Sequence, residues 1–413
     1  MELPSMILLA VIVLAALLVP WSEGLIKTGK ALLITAAAVC AAFTIRAVLL
    51  GYASGDYNVF LSKWVQYFRD CGGFAGFDGG VGDGTINYNV PYLYFLALFS
   101  YLPLNDLYLI KLLSLCFDVV LAFGVMKLVS VYTDSDAKRL AAYLISLLLP
   151  TVILNGARWG QCDSIYAAFS VLSLWHVLSD NPKRAMAEAA LALGFKLQAV
   201  FLLPVFLVMI FAKKLRWRDV LVFPITYLLL ILPAVLCGAD FWQTLTFYLH
   251  STGSIGEGLN YNSPSLFTLV SGGEDSATWA ALSIAAAFLY VLAVWAWTWR
   301  WRKNLSDEAL LGIAILFVVG IPLLLPHMHD RYFFLSDVLT VVPAVLYLSY
   351  IPMAFFASFA SFICYWWYLF KSYPLPPQFG TFALLGVLLV FLSFTAERID
   401  SRRRFGWRKR NGL

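Results

Sequence analysis

The chain has 413 residues, 61% hydrophobic and 13% charged, with a mean hydropathy of +0.80. A soluble domain carries about 25% charged residues, so a water-soluble globule is excluded and an all-α polytopic membrane protein is expected. The formal charge of +5 implies no nucleic-acid patch, and the basic residues of 397–413, after a last apolar segment, read as a cytoplasmic tail on anionic lipid.

Apolar runs of spanning length fall at about 5–22, 30–50, 106–130, 137–154, 160–179, 218–237, 276–299, 308–326, 332–349, 351–370 and 376–396. The first lacks a basic n-region and a small-residue cleavage site, so it reads as a membrane helix rather than a leader. The stretch 185–212 is too long for one span and too short for two. With Lys196, Gln198 and Pro204 in its middle, it reads as a pair of broken helices.

Basic residues gather at 27–30, 127–139, 183–184, 213–218, 300–303 and the C-terminus. The positive-inside rule places all six groups in the cytoplasm if 185–212 returns to the side it left and 91–103 does not cross. The expectation is one membrane domain over 1–413 with about 13 segments, N-terminus outside and C-terminus inside. Segments 51–105, 155–163, 238–275, 327–331 and 371–376 then face outward. The first of these loops carries Phe60, Trp64, Tyr67 and Phe68 at helical spacing, as an interfacial helix would.

Four ionisable clusters converge on that outer face, and ionisable groups at membrane depth are functional candidates. Asp56 opens the first loop. An Asp there is a natural helix N-cap, and a carboxylate in a partly desolvated pocket also suits a general base; both readings stay open. Asp78 and Asp83 lie among glycines, but without EF-hand ligand spacing they read as a turn. Asp134 and Asp136 form a DxD in a short inner loop and read as solvated.

Arg158 to Asp163 holds Arg158, Gln161 and Asp163, while Lys196 and Gln198 sit inside an apolar stretch. Lys196 has no nearby acid in sequence, which favours a phosphate or carboxylate partner. His327-Met328-His329-Asp330-Arg331 follows Pro326. The two histidines lack a third zinc ligand at suitable spacing. The motif reads either as a polar interfacial loop or as an anion site, with Arg offering a bidentate fork. Asn262 lies in an Asn/Ser/Pro turn. The six cysteines show no metal-ligand spacing, and nothing in the sequence supports a disulfide between Cys71 and Cys162.

These clusters, in this order, resemble the GT-C membrane glycosyltransferases that use polyprenyl-phosphate sugars. The likeness is nearest to the asparagine-linked-glycosylation glucosyltransferases, and looser to the second mannosyltransferase of GPI-anchor synthesis and its bacterial relatives. Gly55-Asp56-Tyr57 with Trp64 matches the Gly-Asp-aromatic that opens the first luminal loop in those enzymes. Trp159-Gly160-Gln161-Cys162-Asp163 corresponds to their His-Phe-Gln-Tyr-Asn, and Phe195-Lys196-Leu197-Gln198 to their Phe-Lys-Gln. His327 to Arg331 corresponds to their His-Val-His-Glu-Lys. The likeness runs from about residue 40 to 335, with Asn-Val-Pro after Tyr88 where Tyr-Pro-Pro is usual.

The resemblance implies a GT-C fold and direct, inverting displacement of a polyprenyl phosphate, undecaprenyl phosphate in a bacterium. A mannosyl, glucosyl or galactosyl group would pass to a glycan or lipid-linked acceptor outside the plasma membrane, with other cell-envelope biosynthesis proteins as possible partners. Asp56 is the expected catalytic base. Arg331, His329, His327, Lys196, Gln198, Arg158, Gln161 and Asp163 are expected to hold donor phosphate and sugar. Asp83, Tyr88 and Asn262 would serve the acceptor or the loop. With protein cations available, no metal cofactor is expected. A flippase or transporter is the alternative, although such proteins place polar sites at the midplane between internal repeats. A polysaccharide polymerase or ligase shares the lipid-linked substrate.

Overall fold

The computed structural model describes residues 2–78, 86–251, 258–270 and 276–410; Asp83 lies outside the described residues. The described residues are mostly helical, with one pair of two-residue strands among them, and the long apolar helices make this a multi-pass membrane protein. Eight described helices are long and apolar enough to span a bilayer, or nine if the bent pair Asp136–Leu148 and Pro150–Trp159 counts as one. The count of about 13 is therefore not matched by full-length spans. The segments expected at 160–179, 185–212 and 332–349 are shorter or broken helices.

Each break has a local cause. Leu149 takes an extended conformation before Pro150, because proline excludes the α region from its predecessor, and the pair bends by 46°. Pro343 lacks the N–H that would have bonded to Leu339, the last residue of Phe334–Leu339. Within 185–212 the break falls on Lys196 itself, whose extended backbone (φ −155°, ψ 135°) separates Pro182–Phe195 from the turn Leu197–Phe201.

The helices Asp106–Ser130 and Asp307–Leu324 are buried along most of their length and form the bundle's centre. Gly312 and Gly320 let the second approach its neighbours so closely that a Cβ at either would collide with Thr395 or Tyr290, the small-residue packing that membrane helices use. Leu3–Ser22, Trp217–Leu236 and Ser276–Arg300 expose most of their apolar surface. The N-terminal pair Leu3–Ser22 and Gly29–Leu49 packs on Asp106–Ser130. There Arg46 and Asp118 form an ion pair at 2.9 Å with both side chains fully buried.

The segment after Gly29–Leu49 packs part of its aromatic face against the protein. A π-helical turn Tyr57–Leu61 leads into Ser62–Asp70, and Trp64 and Phe68 are buried while Phe60 stays exposed. Residues 91–103 contribute the 11-residue helix Val90–Ser100, too short to cross. The last helix runs from Gln378 to Arg410 and carries the basic residues expected in the tail.

Candidate active site

A cavity of about 810 Å³ opens where the segment from Asp56 to Trp64, the Lys196 break, the segment 260–262, the motif 329–331 and the end of Leu348–Phe370 meet. Asp56, Tyr88, Gln161, Lys196, Gln198, Asn262, His329 and Arg331 all line it. Residues far apart in sequence thus share one wall, as expected.

Asp56 is placed from both sides. Lys111 donates to the carbonyls of Leu50 (3.0 Å) and Tyr52 (2.6 Å), satisfying the open end of Gly29–Leu49. Ser54 then donates to the Trp159 carbonyl at 2.6 Å. The Asp56 carboxylate makes no capping bond and its backbone is already helical, so the capping role is not realised. Its Oδ2 accepts from Trp159 Nε1 (2.9 Å) and Gln161 Nε2 (2.6 Å), and Oδ1 accepts from the Tyr368 hydroxyl (2.5 Å). The Trp159 ring stacks on Tyr368 at 4.2 Å. Gly160, at φ +81°, supplies the left-handed turn that brings Gln161 back to Asp56 after the π-turn Leu154–Trp159. Both π-turns flank the cavity, and such local widening of a helix is frequent at functional sites.

Lys196 meets its acid partner here: Asp163 Oδ1 accepts from Nζ at 2.5 Å, and Asn155 donates to Oδ2 at 2.6 Å. Asp163 is fully buried behind the wall. It pairs with Lys196 and does not itself line the cavity, whereas the sequence reading placed it among the donor-binding residues. Tyr88 donates to Gln161 Oε1 at 2.9 Å, and the Lys196 ammonium lies 5.5 Å over the Tyr88 ring.

Arg331 stands among three carboxylates without a hydrogen bond to any of them. Its guanidinium nitrogens lie 3.7 Å from Asp56, 3.9 Å from Asp163 and 3.7 Å from Asp330, and its Nε has no partner among the described residues. Burial opposes its charge, but Tyr88 and these carboxylates outweigh it and hold the guanidinium cationic. His329 stacks flat on Tyr261, centroids 4.8 Å apart. Burial, with Arg331 beside it, pushes its imidazole down to about 4, so it is neutral at pH 7. Burial pushes the Asp330 carboxyl up to about 7, with Arg331 opposing.

Two expected contacts do not reach the cavity. Arg158 is sandwiched between the rings of Tyr52 (4.0 Å) and Phe370 (4.1 Å), a cation–π arrangement that turns it away. His327, at φ +60°, lies with its ring Nδ1 2.7 Å from the Gly258 carbonyl and donates its backbone N–H to Leu259. It belongs to the short parallel pairing of Asn260–Tyr261 with Met328–His329, which fastens the motif to its neighbour segment. Asn262 follows in the left-handed region that Asn tolerates. Cys71 is exposed and Cys162 buried, both free.

Tyr368 was not expected. It closes the run Tyr365-Trp366-Trp367-Tyr368 at the end of a span, which in sequence is indistinguishable from an interfacial aromatic belt. Among the described residues no group of three His, Cys, Asp or Glu is arranged to hold a metal ion. The arrangement offers a carboxylate and a neutral imidazole as bases and two cations for an anion.

No curated protein is significantly similar to the chain. The family model of glycosyltransferase family 87 matches residues 87–326. The match takes in Tyr88, Gln161, Lys196, Gln198 and Asn262, and leaves Asp56 and the motif 327–331 outside. Because it covers more than half of the sequence, the chain belongs to glycosyltransferase family 87.

Proposed function

We propose that this glycosyltransferase moves a hexose from a polyprenyl-phosphate donor to a glycan or lipid-linked acceptor on the extracytoplasmic side of the plasma membrane. The observation that carries this reading is Arg331. Its guanidinium is buried and cationic among the described residues, with the nearest carboxylates at 3.7–3.9 Å. Its terminal nitrogens make no hydrogen bond to these carboxylates and remain as donors for a phosphate, which accepts them in pairs.

In this reading the acceptor hydroxyl oxygen attacks the anomeric carbon as the bond from that carbon to the phosphate oxygen breaks. The configuration inverts. The phosphate leaves with its own negative charge, so no strong acid is needed; Arg331 stabilises it from a preorganised cationic wall, and Lys196, already paired with Asp163, adds hydrogen-bond donors. Asp56 takes the acceptor proton. A second reading of the proton acceptor has its own support, since the Asp56 oxygens already accept from three side chains while the His329 imidazole is neutral. The cationic wall replaces a divalent ion, so transfer is expected to proceed in EDTA.

The test is turnover by the purified full chain with polyprenyl-phosphate mannose, glucose and galactose, with and without EDTA. Transfer from none of these donors to any glycan or lipid-linked acceptor refutes the proposal. Activity lost in EDTA and restored by manganese refutes the cationic-wall account.

A further inference from the structure

Arg158 lies outside the cavity, and it is a cation without an anion. Its guanidinium is sandwiched between the rings of Tyr52 (4.0 Å) and Phe370 (4.1 Å). Stacking on both faces leaves the planar edge, where the N–H donors of an arginine lie. Among the described residues none of these donors has an acceptor: Nε is buried without a partner, and the terminal nitrogens make no hydrogen bond or ion pair. Unlike Nε, the terminal nitrogens are not enclosed, and the residue is partly exposed. The two rings attract the charge but offer no oxygen to the donors. A cation at membrane depth ordinarily finds an acceptor or a counter-ion.

The surroundings indicate which kind. Tyr52 follows the helix Gly29–Leu49 and Phe370 closes the span Leu348–Phe370, so Arg158 sits where the ends of these two spans come together. Both spans bury less than half of their length, and Ile45 and Val48, in the last turns of the first, are exposed. From the guanidinium an aromatic ladder runs down one side of the second span. Trp366 stacks on Phe370 at 4.3 Å and meets Phe362 at 5.4 Å. Phe362 in turn lines an apolar groove of about 830 Å³ between this span and Asp136–Leu148, with Ile145, Leu149, Phe355 and Phe359 also in its wall. From Phe370 to Phe362 is about 12 Å along the helix, at a rise of about 1.5 Å per residue. A positive edge and a hydrocarbon groove thus lie on one side of one helix, spaced as the headgroup and chain of a lipid are.

We propose that Arg158 binds the phosphate of a bilayer phospholipid whose acyl chain lies along Trp366 and Phe362 into this groove. Neither Arg158 nor its two rings lines the cavity, so this phosphate is not that of a reacting donor. The bilayer's own phospholipid is the ligand that an outward-facing groove meets in greatest excess, and occupancy follows concentration. The terminal nitrogens supply the paired donors that a phosphate accepts.

The test is native mass spectrometry of the purified, delipidated full chain, with phosphatidylglycerol, diacylglycerol or undecaprenyl phosphate added as the probe. Phosphatidylglycerol should bind wild type about 10- to 100-fold more tightly than diacylglycerol, as expected of hydrogen bonds to charged groups. Arg158→Gln should lower its affinity to the diacylglycerol level, with Arg158→Lys in between because the charge returns without the fork. Ala354→Phe, which fills the groove and leaves Arg158 in place, should weaken both lipids. Arg331→Gln, in the cavity, should change neither. Equal affinity of wild type for the two lipids overturns the proposal, and that measurement needs no variant to fold. So does a preference for phosphatidylglycerol that survives Arg158→Gln or disappears with Arg331→Gln. Undecaprenyl phosphate that binds more tightly than phosphatidylglycerol, with the same dependence on Arg158, overturns the choice of occupant.

Discussion

Replacing Asp56 by Asn separates basicity from architecture at this position. The side chains are nearly isosteric, and the contacts determine how the amide would sit. Trp159 and Gln161 both donate to Oδ2, so the amide oxygen takes that place and keeps both bonds. The amide nitrogen then replaces Oδ1 and faces the Tyr368 oxygen, which already accepts from the Asp56 backbone N–H at 3.1 Å and can accept again by rotating its own proton away. What is lost structurally is charge assistance and the 3.7 Å pairing with Arg331, about 1–3 kcal/mol. What is lost catalytically, if Asp56 is the base, is about 10²–10⁴-fold in turnover, or roughly 3–5 kcal/mol of barrier. Initial rates with a polyprenyl-phosphate hexose measure the second, and thermal unfolding in detergent with donor binding measures the first. Asp56→Asn that folds, binds donor and turns over within tenfold of wild type would reduce Asp56 to an anchor. His329→Gln should in that case show the loss, and if neither variant does, both readings of the proton acceptor fail.

Other perturbations probe the rest of the wall. Arg331→Ala should raise the donor Kd and lower turnover together, with Arg331→Lys restoring only part because the charge returns without the planar fork; full activity in the alanine variant excludes a phosphate role. Asp163→Asn leaves Lys196 buried without its acid, which typically costs about 3–5 kcal/mol, and should lower the unfolding temperature far more than a surface substitution. Asp330 is held near 7 in the folded protein against an ordinary value of 3.8, so between these the folded state keeps a proton that the unfolded chain releases. Its contribution to stability is full below about 3.8, falls as pH rises and levels off above about 7. Unfolding temperatures across pH 4–8 should accordingly shift in favour of Asp330→Asn over wild type as pH rises through that window, and a constant difference contradicts this. Cys71, exposed in the first loop, should react with an impermeant maleimide in intact cells, and labelling only after lysis would place the loop inside.

The positions where the sequence was legible are those where polar residues interrupt apolar runs. Lys196 was readable as a break because a lysine and a nearby proline within a run of that length cannot both continue one span. Gln161, Lys196, His329 and Arg331 meet as expected, because a polar side chain at membrane depth must find either water or a partner. The same rule does not say which. Asp163 and Arg158 look alike in sequence, yet one is spent on neutralising Lys196 and the other lies between two rings. Those outcomes depend on which helices touch. Tyr368 was hidden for a different reason, since an aromatic at the end of a span has an ordinary explanation already. The stretch 332–349 reads as one run because hydropathy tolerates Pro343, while helix geometry registers a missing backbone bond.

The buried Arg46–Asp118 pair bears on which part of the chain is an autonomous unit. Residues before 87 lie outside the family match, and the first two helices show most of their surface to the surroundings, as a dispensable appendage would. The helix Gly29–Leu49 is nevertheless tied to the matched region at its C-terminal end. Arg46 donates to Asp118 and to the Leu147 carbonyl, and Lys111 grips the carbonyls just beyond Leu49. A chain shortened to the matched segment would bury Asp118 and Lys111 without their partners and would also lack Asp56. The matched segment and the two helices before it thus form one physical unit, to be exchanged together in any chimera.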